Sequence, residues 1–297
     1  METIKTGIVL EGGGMRGMYT CGILDVLMKN HIYVDGMVGV SAGIAFGCNY
    51  KSRQAGRALR YNVRFARDKR YSGMMSLLKT GNYYNAHFAY HLVPTHYDVF
   101  DYNVFEDNPM ECYAVCFDVK SGDGVYQRLT RVDNDFFEWV RASASMPVVA
   151  QPVEVGGRLL LDGGLADSIP LEFMINKGYH RNIVILTRED GYRKTAEHGL
   201  WLMKPFLRKW PKVIEALKKR PAHYNQQLQL VKEQERKGNA FVFRPLKPLN
   251  VSRTTHDAAE MNRVYQQGYN EALQRLDELK RFLAEDNEQS ASPTPNE

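Results

Sequence analysis

The chain has 297 residues, of which 44% are hydrophobic and 25% charged, and a formal net charge of +5 at pH 7. These values are typical of a soluble globular protein. No apolar run approaches the roughly 20 residues that cross a bilayer, and the first strand-like segment breaks at glycines too early for a secretory signal. We therefore expect a cytoplasmic protein whose four cysteines are reduced.

Short apolar strands alternate with helices in the N-terminal part. The pattern predicts a strand at 5–10, a helix at 18–29 and a second strand at 37–40. This order favours an α/β fold in which a parallel-rich central sheet is flanked by helices. Further strands are predicted at 111–119, 124–129, 158–161, 182–187 and 240–243, and further helices at 134–144, 171–177, 201–220, 223–237 and 257–283.

Gly12, Gly13 and Gly14 form a glycine loop between the first strand and the first helix. With Gly17 they match G-x-G-x-x-G, which binds dinucleotides when an acidic residue ends the second strand. Here Ser41 stands at that position, so the sequence does not favour a dinucleotide site. A P-loop is excluded because no Gly-Lys-Ser/Thr follows.

Ser41 lies in the sequence Gly39-Val40-Ser41-Ala42-Gly43, which matches the G-x-S-x-G of a nucleophile elbow. The sharp turn lifts the serine hydroxyl above the sheet, and Gly39 and Gly43 relieve crowding there. Acyl transfer through a serine creates an oxyanion, and the backbone N–H groups of the glycine loop are suitable donors for it. A tight turn with glycines for packing alone remains the alternative.

A serine nucleophile needs a base, and Asp162 is the first candidate. It ends the predicted strand after a hairpin that turns at Gly156 and Gly157, although Asp-Gly-Gly is also typical of a simple turn. His256, which precedes the last helix, is the best candidate for the third member of a Ser-His-Asp triad.

Four motifs in chain order, GGGMRG, GVSAG, ASASMP and DGGLADSIP, make residues 4–187 resemble the patatin-like phospholipase family. The resemblance implies a serine acyl hydrolase that cleaves lipid esters through an acyl-enzyme. It implies Ser41 as the nucleophile, Asp162 as its partner in a catalytic dyad, and the glycine loop as the oxyanion hole. Arg16 then either binds a lipid phosphate or braces the loop.

The resemblance also suggests a division of the chain into a patatin-like catalytic domain at 1–190 and a helical extension at 191–283. The extension carries one late strand and is expected to pack on the catalytic domain, and residues 284–297 are predicted to be a disordered tail. A non-catalytic lipid-binding or regulatory protein that keeps this fold is the alternative function. Nothing in the sequence indicates a metal or an organic cofactor, and the neighbouring histidines are interpreted as a polar helix face: His87, His91 and His96.

Basic residues are concentrated in two segments. Five arginines spaced 4, 3, 4 and 3 residues apart predict one stripe along a single helix that contacts anionic membranes: Arg53, Arg57, Arg60, Arg64 and Arg67. A second basic segment at 204–220 includes Phe206 and Trp210, the kind of aromatic residues found at membrane interfaces. A solvated charged surface is the alternative for both. No nucleic-acid-binding motif accompanies these charges.

Overall fold

The structure is a computed structural model that describes residues 4–195 and 200–284. Within them, eight strands form a single sheet in the order β5-β6-β3-β2-β1-β7-β8, with β4 also paired to β3. The strands are β1 (Thr6–Leu10), β2 (Gly36–Val40), β3 (Glu111–Asp118), β4 (Gly124–Arg128), β5 (Val153–Val155), β6 (Arg158–Asp162), β7 (Arg181–Ile185) and β8 (Ala240–Phe243).

The five neighbouring strands β3, β2, β1, β7 and β8 run parallel, whereas β4, β5 and β6 are antiparallel to their neighbours. Side chains alternate along β1, so that Ile8 and Leu10 pack into one core cluster and Val9 into another on the opposite face. The predicted fold class is confirmed: a parallel-rich α/β sheet with helices on both faces and a helical C-terminal region.

The helices are α1 (Gly17–Lys29), α2 (Ala42–Lys51), α3 (Arg57–Phe65), α4 (Met74–Thr80), α5 (Tyr102–Asp107), α6 (Phe136–Ser143), α7 (Leu171–Asn176), α8 (Leu200–Leu207), α9 (Pro211–Arg236), α10 (Ala258–Gln274) and α11 (Leu276–Ala284). A π-helical segment spans Phe88–Tyr97. Among the described residues, no helix is long and apolar enough to span a membrane.

The register of β3 brings two distant segments together. Strands β2 and β6 pair one after the other with the same edge of β3, since β4 occupies its other edge. Val40, the last residue of β2, is opposite Val115, and the next residue of β3, Cys116, is opposite Asp162. The residue after β2 therefore lies beside the end of β6.

The C-terminal region joins the same sheet. β8 extends it through parallel pairing with β7, and α10 packs along α1. The sequence predicts two helices at 201–220 and 223–237, but α9 continues through Pro221. One buried face explains the continuity, because its apolar residues recur at helical spacing on both sides of the proline: Val213, Leu217, Tyr224 and Val231. The predicted helix at 257–283 is two helices, α10 and α11.

Except for Ala284, which ends α11, the predicted disordered tail lies outside the described residues.

The structure corrects the sequence-based prediction of an arginine stripe. Helix α3 contains three of the five arginines, because Arg53 precedes it in a turn and Arg67 follows it. Arg57 is 3% exposed, and its guanidinium donates to Asn49 Oδ1 and to the Asp98 carbonyl. Arg60 forms an ion pair of 2.7 Å with Asp98. The other four arginines are exposed. The prediction of one continuous stripe along a single helix is nevertheless wrong, because Arg57 is buried and two of the five arginines lie outside α3.

Candidate active site

Ser41 occupies a sharp corner between β2 and α2. Its backbone has φ 55° and ψ −124°, a conformation that residues other than glycine rarely adopt and that is typical of a nucleophile elbow. The corner depends on two glycines. A Cβ at Gly39 would lie 2.6 Å from the Ile44 nitrogen, and one at Gly43 would lie 2.4 Å from the Leu10 carbonyl oxygen.

The ASASMP segment holds both sides of the site, a role that its sequence alone did not reveal. The Ser41 N–H donates to Ser143 Oγ at 2.9 Å, and this hydroxyl donates to the Val115 carbonyl at 2.6 Å. The Asp162 N–H donates to the Ser145 carbonyl at 2.8 Å. One short segment therefore fixes the backbones of Ser41 and Asp162 relative to β3.

Asp162 is buried beside Ser41 and is only 5% exposed. Its carboxylate accepts a hydrogen bond of 2.8 Å from the Gly164 N–H. Burial raises the pKa of Asp162 above its usual value, while Arg220, the Ser41 side chain, the Gly164 N–H and Arg253 oppose the rise. A carboxylate with a raised pKa beside a serine hydroxyl is suited to act as a base.

The glycine loop approaches Ser41 from β1. A Cβ at Gly12 would lie 3.0 Å from the Ser41 Cβ. In the described part of the chain, no protein group accepts a hydrogen bond from the N–H of Gly12, Gly13 or Gly14. The loop then enters a short 3-10 turn, Gly14–Arg16, and α1. Three donors without acceptors at the start of a helix are suited to bind an anion.

Two pockets meet at Ser41. The first is mainly polar and is lined by the glycine loop, Asp162 and several basic residues. The second is larger and mainly apolar. Its walls come from α2, α6 and the π-helical segment, and include Phe46, Tyr84 and Val149. The arrangement gives a reacting group at Ser41 one polar and one apolar side.

His256 lies apart from this pair of residues. Its Nε2 is 2.6 Å from Tyr83 Oη, and its Nδ1 is 2.7 Å from the Ala66 carbonyl oxygen. Both ring nitrogens are therefore engaged outside the site, and the structure does not bring His256 to Ser41. His91 pairs with Glu138 at 3.0 Å, and the described residues contain no group of three side chains suited to bind a metal.

The parallel-rich sheet, with a serine on a sharp strand–turn–helix corner beside a buried carboxylate, defines an α/β protein whose corner has the geometry typical of a nucleophile elbow. The model of the family described as "Patatin-like phospholipase" matches residues 8–175, more than half of the chain. The chain belongs to the patatin-like phospholipase family. A second model, "Domain of unknown function (DUF6363)", matches residues 210–284.

Individual relatives are distant. The uncharacterized protein YjjU of Escherichia coli is 26% identical over 62% of this chain and 52% of its own length. Lysophospholipase nte1 of Aspergillus niger is 24% identical over 93% of this chain but 18% of its own length, so the chain spans about half of the first relative and less than a fifth of the second. The structure of VipD from Legionella pneumophila aligns with a TM-score of 0.43 and 12% identity, over 93% of this chain and 67% of that one.

Proposed function

We propose that this chain is a serine acyl hydrolase that cleaves fatty-acyl esters of phospholipids or lysophospholipids. The observation that carries the proposal is the position of Ser41 on a sharp corner beside the buried Asp162 carboxylate, next to three backbone N–H groups that have no acceptor among the described residues. The family and the name of the Aspergillus niger relative, a lysophospholipase, support a lipid ester as the substrate.

The proposed mechanism uses two side chains and the glycine loop. Asp162 accepts the hydroxyl proton as Ser41 Oγ attacks the ester carbonyl carbon, and the N–H groups of the loop donate to the resulting oxyanion. The C–O bond then breaks, the departing alcohol takes the proton from Asp162, and acyl-Ser41 remains. Water attacks this ester with Asp162 again accepting the proton. Release of the fatty acid returns the proton to Ser41.

The apolar pocket gives the acyl chain a place next to Ser41. Its walls are largely aliphatic and aromatic, and burying each methylene of an acyl chain contributes about 0.8 kcal/mol. The polar pocket on the other side of Ser41 is left for the alcohol part of the ester, which in a phospholipid is charged. An amphiphilic ester therefore fits this site better than a fully apolar one.

Hydrolysis of a p-nitrophenyl acyl ester series tests the proposal. We expect Ser41→Ala and Asp162→Asn each to lower kcat/KM by at least about 10³-fold, because each removes a reacting group. His256→Ala should retain activity, since both of its ring nitrogens are bound outside the site. Asp167→Asn is the matched control, because Asp167 is also a buried carboxylate but hydrogen-bonds to Tyr126 and Gln227.

A fluorophosphonate probe completes the experiment, because it labels an activated serine without requiring the correct substrate. Labelling of the wild type that is lost in Ser41→Ala supports the acyl-enzyme. An inactive, unlabelled wild type would favour the non-catalytic lipid-binding protein, and loss of activity in His256→Ala would favour a triad.

We also propose peripheral contact with anionic membranes, through exposed side chains alone. Arg53, Arg60, Arg64 and Arg67 keep exposed side chains. Phe206 on α8 is 71% exposed, which suits insertion at an interface.

A further inference from the structure

Basic side chains converge on the polar pocket from parts of the chain far from the sequence motifs. Arg188 follows β7, Arg220 lies on α9, and Arg253 precedes α10, while Arg16 follows the glycine loop. Lys194 also lines the pocket. The carboxylates that line it are Glu11 and Asp162, and Glu11 already accepts from the Thr187 N–H and the Tyr224 hydroxyl.

Three of these arginines take no part in the salt bridges of the described residues. Among residues 4–195 and 200–284, neither Arg16, Arg188 nor Arg253 forms an ion pair. Arg16 is only 8% exposed, and no described group accepts a hydrogen bond from its buried Nε. Burial and the nearby charge of Arg188, with a smaller effect from Arg253, lower the pKa of Arg16 to about 10, although the charge of Glu11 opposes the shift. A buried cation such as Arg16, with two half-buried arginines nearby, is costly unless an anion binds it.

The aromatic faces of the pocket do not offer a site for a cationic headgroup. The Arg188 guanidinium lies 4.4 Å from the centre of the Tyr192 ring, and the Lys194 ammonium 5.6 Å from that of Tyr224. A quaternary ammonium would compete with these cations for the same rings and would be repelled by the arginines.

We propose that Arg188 and Arg253, together with Arg16, bind the phosphate group of the substrate. The inference rests on the proposed function and names its substrate class: monoacyl lipids whose phosphate is a terminal monoester, in preference to lipids with a choline headgroup. With the ester at Ser41 and the acyl chain in the apolar pocket, the phosphate reaches the polar pocket, because the two pockets share Ser41 and Arg253.

Calorimetric titration of the Ser41→Ala variant tests this assignment independently of turnover. The probes are octanoyl glycerol phosphate, octanoyl glycerol, octanoyl glycerophosphocholine and inorganic phosphate. We expect the phosphate monoester to bind about tenfold more tightly than octanoyl glycerol, as charge-assisted hydrogen bonds to arginine allow. In the same background, Arg188→Gln and Arg253→Gln should each reduce that ratio about tenfold. Arg193→Gln, an exposed neighbour outside the pocket, is the control and should preserve it.

The titration distinguishes binding of a lipid phosphate from binding of a free anion, and both from a failure of the proposed hydrolase. A preference for the phosphate monoester that persists in both arginine variants would overturn the proposal, as would equal binding of the choline lipid. Inorganic phosphate that binds as tightly as the lipid would assign the pocket to a free anion and overturn the headgroup assignment. Preferential binding by Ser41→Ala combined with a wild type that hydrolyses no ester would leave the anion pocket standing while the proposed hydrolase fails.

Discussion

The pKa of the Asp162 carboxyl group is set by opposing effects. Burial raises its pKa, and Arg220 is the strongest of the groups that lower it. A base must be ionised in the free enzyme, so kcat/KM should fall as the pH falls through the pKa of Asp162. Because this pKa lies above the usual 3.8 of an aspartate, the loss of activity should begin at a higher pH than for an exposed carboxylate.

Replacing Arg220 tests which group titrates in that acid limb. Arg220→Gln removes a positive charge that stabilises the ionised carboxylate, so we expect the acid limb of kcat/KM to move to higher pH. Lys218→Gln, an exposed position on the same helix, is the control and should leave the limb in place. The measurement is the pH profile for a p-nitrophenyl ester; an acid limb that Arg220→Gln leaves unmoved would contradict Asp162 as the base.

Local motifs predict only part of this site. Ser41 and the glycine loop could be inferred from sequence because their geometry depends on neighbouring residues. Arg188 and Arg253 could not, because they carry no motif: Arg188 reaches the pocket through the pairing of β7 with β1, and Arg253 through the packing of the C-terminal region on the glycine loop. Arg57 shows the converse. Its spacing suggested a surface stripe, but its guanidinium donates hydrogen bonds to the Asp98 carbonyl and to Asn49 Oδ1 inside the protein.

At the level of elements, α1 and α10 approach each other closely at paired glycines. A Cβ at Gly268 would lie 2.1 Å from the Tyr19 carbonyl oxygen, and one at Gly22 would lie 2.2 Å from that of Tyr265. Hydrogen bonds of 2.7 Å tie the same helices together, from the Tyr19 hydroxyl to Glu271 and from the Tyr265 hydroxyl to Asp25. This contact depends on the absence of side chains at two positions.

Gly268→Ala is therefore expected to destabilise the fold by about 2 kcal/mol, because the added methyl group forces two backbones apart. Urea unfolding measures the change. Gln266→Ala, at an exposed position of the same helix, should change stability by less than about 0.5 kcal/mol. An unchanged unfolding midpoint in Gly268→Ala would show that the helices separate without cost.

Strand and helix positions followed from apolar spacing, but the order of strands did not. The sequence gives no sign that β6 continues along the edge of β3 where β2 stops, since this depends on register between segments about 120 residues apart. Pro221 predicted a helix break that the buried face of α9 overrides. The long-range pairings that place Asp162 beside Ser41 are therefore what the structure adds.

At the scale of the whole molecule, the contacts of the C-terminal region bear on whether residues 1–190 form an independent domain. β8 covers the edge of β7, α10 covers α1, and the C-terminal region contributes contacts to the site itself. The Arg253 carbonyl accepts from the Met15 N–H at 3.1 Å, and Arg220 Nε donates to the Gly164 carbonyl at 2.6 Å. Removal of this region would expose an unpaired strand edge and apolar helix faces, which promotes aggregation.

We expect a fragment of residues 1–195 to aggregate and to lack ester hydrolysis when expressed alone. Coexpression with residues 196–297 should restore a soluble, active complex, because the second fragment supplies β8, α9 and α10. Size-exclusion chromatography and p-nitrophenyl ester hydrolysis measure the two effects, and the same pair of fragments carrying Ser41→Ala is the inactive control. A monomeric, active fragment of residues 1–195 would instead establish that the N-terminal part folds and works alone, and that the C-terminal region is an accessory.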